Sequence, residues 1–254
     1  MTKFVSIVSG KGGVGKTATS INLGAALSSF GKETLVADCN IPTPNVGLYL
    51  GSSRFKFTLH DALRGKSTLR DAVHIHSSGL KFIPGNVGLE ECQKANVNNI
   101  EKVMLDLYGT TDLVLLDSAP GIGVEAKSAI NASDEVIVVT NPDVASVTDA
   151  LKIAKVVREN GKNVYGVVVN RVKEKNDISA DNVAVILSTQ LLGIIPEDSA
   201  VQDSFSKKHP SVFAFPEARS SIAYKKLAAE LLGQEYEETV QKPGFLSRLF
   251  RKKQ

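Results

Sequence analysis

Cysteine is nearly absent from this 254-residue chain, and that scarcity narrows its chemistry at once. The two that occur, Cys39 and Cys92, lie too far apart to form a paired-cysteine redox or zinc motif. They fit a protein kept in a reducing compartment, as small buried side chains. No apolar run approaches the ~20 residues needed to cross a bilayer, and the stretch at residues 4–8 is too short for a signal peptide. The expectation is a chain made and kept in the cytosol. Internal repeats and low-complexity segments are missing too. The four histidines, His60, His74, His76 and His209, share no helical spacing and no clustering. They are read as surface or loop residues, not as metal ligands or members of a triad.

Acid is missing from the last thirteen residues, which hold Lys242, Arg248, Arg251, Lys252 and Lys253. Without these five cations the formal charge falls from +3 to −2, so the tail makes the chain basic and the body gives little support for a nucleic-acid surface. With 43% hydrophobic residues, the body is large enough to bury a core of its own. The expected division is one domain over residues 1–236, then a linker and basic tail over residues 237–254.

Short apolar runs at residues 4–8, 34–37, 80–83, 113–116, 136–140, 164–169 and 191–195 are nearly unbroken, as strands covered on both faces tend to be. Helical spacing lies between them at residues 17–29, 100–107, 146–160 and 179–187, and last at 220–232. Gly31, Gly161 and Gly233 stand where such helices would close. This alternation predicts a doubly wound α/β fold, with a mostly parallel sheet of about seven or eight strands flanked by helices.

The first apolar run leads directly into Gly10-Lys11-Gly12-Gly13-Val14-Gly15-Lys16-Thr17 and then into a helix, the context that a GxxxxGK[ST] phosphate loop requires. Its glycines let backbone N–H groups turn inward toward phosphate oxygens, and the amino end of the following helix, which carries Thr17 and Ala18, adds its positive dipole end. Lys16 is expected to neutralise the β and γ oxygens, and Thr17 to place its hydroxyl on the bridging Mg²⁺. A second partner is Asp117, the carboxylate that closes the apolar run at 113–116 as in a Walker B strand; it would hold magnesium through water. The loop from Ser118 to Gly121 follows it and is placed to sense the γ-phosphate.

Lys11, a second lysine inside the loop, makes the chain resemble the MinD/ParA ATPases, whose deviant Walker A pattern is KGGxGK[ST]. The resemblance extends over nearly the whole chain: Leu35-Val36-Ala37-Asp38, Leu115-Leu116-Asp117-Ser118-Ala119-Pro120-Gly121, Val168-Val169-Asn170-Arg171 and Leu192-Gly193-Ile194-Ile195-Pro196-Glu197-Asp198 occur in the family's order. It implies ATP or ADP with Mg²⁺, and an ATP-dependent homodimer in which Lys11 reaches the partner's nucleotide. It also implies adenine contacts at Asn170, Pro196 and Glu197, and places Asp38 among the catalytic and magnesium-binding residues. Most members carry two acids two residues apart after the second strand; here the second is Asn40. Because phosphoryl transfer depends on positioning more than on proton abstraction, Asn40 is expected to orient water in a slow, partner-stimulated ATPase; the alternative is a dimer switch locked by nucleotide without hydrolysis.

In the tail, Phe245, Leu246, Leu249 and Phe250 share one face of a helix, with Arg248, Arg251 and Lys252 on the other. Half-burial of the four apolar side chains would contribute on the order of 3–6 kcal/mol. Ordering the segment costs roughly 1–2 kcal/mol per residue. One tail should therefore bind an anionic membrane weakly and two tails of a dimer together. A C-terminal membrane helix is also what resemblance to MinD-type members implies. The leading expectation is a cytoplasmic ATPase, reversibly peripheral at the inner face of the cell membrane, that positions cell-division or other polar machinery with a protein partner or activator. The alternatives are a ParA-like DNA-partitioning ATPase and a flagellar-placement ATPase, though the loop begins so soon after Met1 that little room is left for the latter's N-terminal segment. An iron–sulfur carrier of the Mrp type would need the missing paired cysteines.

Overall fold

The computed structural model describes residues 1–236. The linker and basic tail, with the proposed membrane residues Phe245, Leu246, Arg248, Leu249, Phe250 and Arg251, lie outside the described residues. The strands are β1 (Lys3–Val8), β2 (Thr34–Cys39), β3 (His74–Ile75), β4 (Lys81–Ile83), β5 (Leu113–Ser118), β6 (Glu135–Thr140), β7 (Asn163–Val172) and β8 (Leu191–Pro196). The helices are α1 (Lys16–Ser29), α2 (Val46–Tyr49), α3 (Leu59–Leu63), α4 (Leu89–Lys94), α5 (Ile100–Met104), α6 (Val124–Asn131), α7 (Val144–Glu159), α8 (Ala180–Leu187), α9 (Ser199–Ser206), α10 (Ser211–Ala214) and α11 (Arg219–Leu232).

The eight strands form one sheet in the order β3-β4-β2-β5-β1-β6-β7-β8. Every pairing is parallel except the antiparallel β3–β4 edge. Both faces are covered, which is why the strand sequences are nearly unbroken apolar runs. In β1, Val5 and Ile7 face a core shared with Ile21 and Leu27 of α1 and Tyr224 and Leu227 of α11. Phe4 faces the other way, into a core with Leu59 of α3, Met104 of α5 and Ala129 of α6. Val8 lies on that same face, against Ile153 of α7 and Val183 of α8. Helix α1 lies close on the sheet because Gly24 has no side chain: a Cβ there would come within 2.6 Å of Val36 Cγ2. That approach seats the middle of α1 against β2 and β5.

Several elements differ from the sequence-based expectation. Helix α7 begins at Val144, ahead of the expected 146, because Asp143 accepts a hydrogen bond from Ser146 N at 2.9 Å and caps it. The helix expected over 100–107 is α5 followed by a tighter turn over Leu105–Leu107. Helices α6 and α9 were not legible, since α6 fully buries only Ala126, Ala129 and Ile130 and α9 only Ser204, too few apolar positions to make a stripe. The histidines need correction as well. His60 is fully buried, with Nε2 3.0 Å from Ile41 O and Nδ1 accepting from Asn86 N, and burial lowers its pKa. His76 and His209 do meet in space, their ring centroids 5.0 Å apart.

Candidate functional site

Parallel pairing puts β2 and β5 in register, so that Asp38 sits beside Asp117 and Cys39 beside Ser118. Both carboxylates are fully buried at the carboxyl ends of the central strands, where open α/β sheets bind ligands. Asp117 Oδ1 accepts from Lys16 Nζ at 3.1 Å and from Ser20 Oγ at 3.0 Å; its Oδ2 accepts from Thr17 Oγ1 at 2.6 Å. All three donors come from the first turns of α1, one face of which carries positions 16, 17 and 20. Asp38 is held differently. Its Oδ1 accepts from Asn40 N at 3.2 Å, and its Oδ2 accepts from Asn45 N at 2.8 Å and Val46 N at 2.9 Å, at the start of α2.

These surroundings set the charge state. Burial pushes the Asp38 carboxyl up to about 7 and the neighbouring Asp117 adds to the rise, while the Val46 N–H, the Lys16 ammonium and the Asn40 N–H oppose it. Burial also drives the Cys39 thiol well above its ordinary value, helped by the same two carboxylates. Two adjoining acids with one ammonium, on Asp117, form a site that favours an added positive charge.

Above this floor opens a cleft of about 570 Å³. Of the residues expected to bind ATP, Gly12, Gly13, Gly15, Lys16, Thr17, Ala18, Asn170, Pro196 and Glu197 line it. Val14 is instead buried in the core, and Gly10 backs onto α7, where a Cβ would come within 2.0 Å of Asp149 O. Lys11 is exposed and does not line its own cleft. Asn40 lines it, yet its amide is committed to a local turn: Nδ2 donates to Thr43 O at 2.6 Å and Oδ1 accepts from Thr43 Oγ1 at 3.2 Å. Asn170 donates through Nδ2 to Val14 O at 2.7 Å, so this edge of its side chain faces the glycine loop. Glu197 pairs with Lys173 at 3.0 Å.

The arrangement fits a nucleotide phosphate with Mg²⁺. The amino end of α1 has no side-chain cap and no acid in its first turn, which leaves its N–H donors for an anion. Among the described residues no group of three or more His, Cys, Asp or Glu could form a protein-only metal cage. A hydroxyl beside two carboxylates is the partial oxygen set that Mg²⁺ completes with phosphate oxygens and water.

Sequence reasoning missed Ser20, although its position four residues after Lys16 placed it on the right face. It also missed Tyr224, a fully buried cleft residue whose hydroxyl is 3.5 Å from Thr19 Oγ1 and is pushed up to about 12 by burial. The stacked rings of Tyr49 and Phe205, with centroids 4.0 Å apart, line the cleft from α2 and α9. Nothing in their spacing announces that contact across 156 residues.

Fold and site together define a phosphate-loop nucleotide-binding protein with a doubly wound sheet. The CobQ/CobB/MinD/ParA nucleotide binding domain model matches residues 5–212. An uncharacterised ATP-binding protein of Methanocaldococcus jannaschii is 34% identical over 254 residues, covering 99% of this chain and 96% of the relative. The septum site-determining protein MinD of Bacillus subtilis is 31% identical over 244 residues, covering 92% of this chain and 90% of the relative. The solved structure of MinD from Pyrococcus horikoshii, complexed with Mg-ADP, superposes with a TM-score of 0.86 at 34% identity, covering 91% of this chain and 96% of that one. The chain therefore belongs to the MinD/ParA family of nucleotide-binding ATPases.

Proposed function

We propose that this chain is a MinD-like ATPase in which ATP and Mg²⁺ bring two copies together, and that the dimer attaches reversibly to an anionic membrane to position cell-division or other polar machinery. The observation that carries the reading is the set of buried Lys16, Asp38 and Asp117 with half-buried Thr17 beneath the glycine loop. Lys16 neutralises the β and γ phosphate oxygens, and Thr17 offers its hydroxyl to Mg²⁺. Asp38 and Asp117 would hold the ion, Asp117 through water. A divalent cation there keeps Asp38 ionised against the burial that raises its pKa. The base end of the nucleotide lies against Pro196 and Glu197.

Lys11 points out of its own cleft, which suits a lysine that completes the partner's site across the dimer. It would stabilise transition-state charge in the manner of an arginine finger. Hydrolysis is slow in the isolated protein, because Asn40 orients water only after releasing Thr43. A partner protein that opens this turn speeds the reset.

The test is co-sedimentation with anionic vesicles in ATP or ADP, using the full chain, a chain ending at Lys242 and Lys11→Ala. ATP-dependent binding by the full chain alone is the expected result. Failure of the intact chain to reach vesicles in either nucleotide would remove the membrane reading. A Lys11→Ala variant that still dimerises and binds would remove the trans role.

A further inference from the structure

Asp117 takes three hydrogen bonds from one face of α1, and its two oxygens are supplied differently. Lys16 Nζ at 3.1 Å and Ser20 Oγ at 3.0 Å share Oδ1, while Thr17 Oγ1 at 2.6 Å donates to Oδ2. Asp117 and Ser20 are fully buried and Lys16 is 7% exposed, so these groups satisfy one another. Two of the three donors have a second task in the nucleotide reading. Thr17 can turn an oxygen lone pair to the ion and still leave its proton on Oδ2. Lys16 has to carry its charge away: an ammonium that moves up to the β and γ oxygens stretches a contact that is already 3.1 Å. Ser20 is the donor that stays on Oδ1.

The Ser20 hydroxyl has one proton and two acceptors within reach, Asp117 Oδ1 and, at 3.1 Å, Lys16 O. Lys16 O already takes the Ser20 N–H in the α-helical ladder, and a carboxylate is the stronger acceptor. While Lys16 lies on Asp117, the Ser20 proton duplicates a bond. Once Lys16 turns to phosphate, Ser20 alone is left on Oδ1 among the described residues. Two held oxygens fix the plane of a carboxylate, whereas one leaves it free to swing.

We infer that Ser20 is a positioning residue for the phosphate site, which holds Asp117 Oδ1 when a β-phosphate draws Lys16 away and so keeps Oδ2 turned toward Thr17 and the ion. This rests on the nucleotide reading above and adds a residue to it. A ligand without a β-phosphate leaves Lys16 on Asp117 and makes no use of Ser20. Folding makes little use of it either: replacement by Ala orphans neither Lys16 O nor Asp117 Oδ1, and Ala is the better helix former.

The experiment measures the affinities of ADP and AMP in excess Mg²⁺, by competition against a ribose-labelled fluorescent ADP analogue, and the urea unfolding of the nucleotide-free protein, for wild type, Ser20→Ala and Ser20→Cys. Leaving a buried carboxylate oxygen without a donor predicts that Ser20→Ala weakens ADP by about 5- to 50-fold. AMP affinity stays within about twofold of wild type, and the unfolding midpoint hardly moves. Ser20→Cys, with its weak thiol donor, falls between the two and serves if Ser20→Ala does not fold. An ADP affinity within about twofold of wild type overturns the inference. So does AMP weakened by the same factor as ADP, which would mean general damage to the cleft, or a loss of unfolding free energy as large as the loss of ADP binding free energy, which would make the hydroxyl a folding contact. A wild type that binds no nucleotide would instead sink the proposed function, so the two failures are distinguishable.

Discussion

Opposite ends of the same strands treat charge in opposite ways. At the amino ends, Lys3 meets Glu135 at 2.8 Å and Lys32 meets Asp112 at 3.6 Å, with both members of each pair open to water. At the carboxyl ends, Lys16 meets Asp117 at 3.1 Å with the side chains only 7% and 0% exposed, and Asp38 lies fully buried beside them. Water screens the first set and contributes little to the second, so comparable distances carry different energies. The lower end is a solvated rim. The upper end is a polar cluster whose members depend on one another, and it becomes a ligand site because the set holds more negative than positive charge.

The largest test of that contrast is Asp117→Ala. It leaves the Lys16 ammonium and the Ser20 and Thr17 hydroxyls without their shared acceptor, and should cost about 3–5 kcal/mol of stability in urea denaturation of the nucleotide-free protein. A cost under about 1 kcal/mol would mean that the upper cluster behaves like the lower rim. Next is Gly15→Ala, which forces a side chain into positive φ and against Asn170 Nδ2. Thermal unfolding should register a loss of about 1–3 kcal/mol, and ATP binding should fall further than stability does.

Asp38 gives a test by pH. Its folded value of about 7 stands above the ordinary 3.8, so the folded state holds the proton more tightly than the unfolded one. That stability is fully present below pH 3.8 and is lost as pH rises through about 7. Without nucleotide or Mg²⁺, wild type should therefore lose stability across this window relative to Asp38→Asn. Parallel pH profiles for the two would show that Asp38 is not held up by burial. The smallest effect belongs to the lower rim: Lys3→Ala should change stability by less than about 1 kcal/mol, and added salt should erase the difference.

Much of this was legible in the chain itself. The alternation of apolar runs and helical spacing gave the doubly wound sheet, since a strand covered on both faces leaves few polar positions to interrupt it. The glycine loop announced itself through Gly15 and Lys16, and Asp117 through its place at the end of an apolar run. Helix α9 did not, because its single fully buried residue, Ser204, leaves no stripe to read. His60 was misplaced for a related reason: two adjacent polar residues, His60 and Asp61, in a five-residue helix do not say which of them faces inward. Its burial depends on Ile41 O and the Asn86 N–H arriving from other segments to satisfy both ring nitrogens.

By itself the sequence determined the order of the principal strands and longer helices, the phosphate loop and the residue types of the site, because these depend on local period, backbone freedom and the strand–loop–helix context. Tertiary structure alone decided that Asp38 and Asp117 would sit side by side, since their adjacency comes from the register of two strands 79 residues apart. It alone turned Asn170 onto Val14 and closed Asn40 on Thr43. Those choices follow from which polar groups become neighbours once water is removed, a question that no single segment can answer.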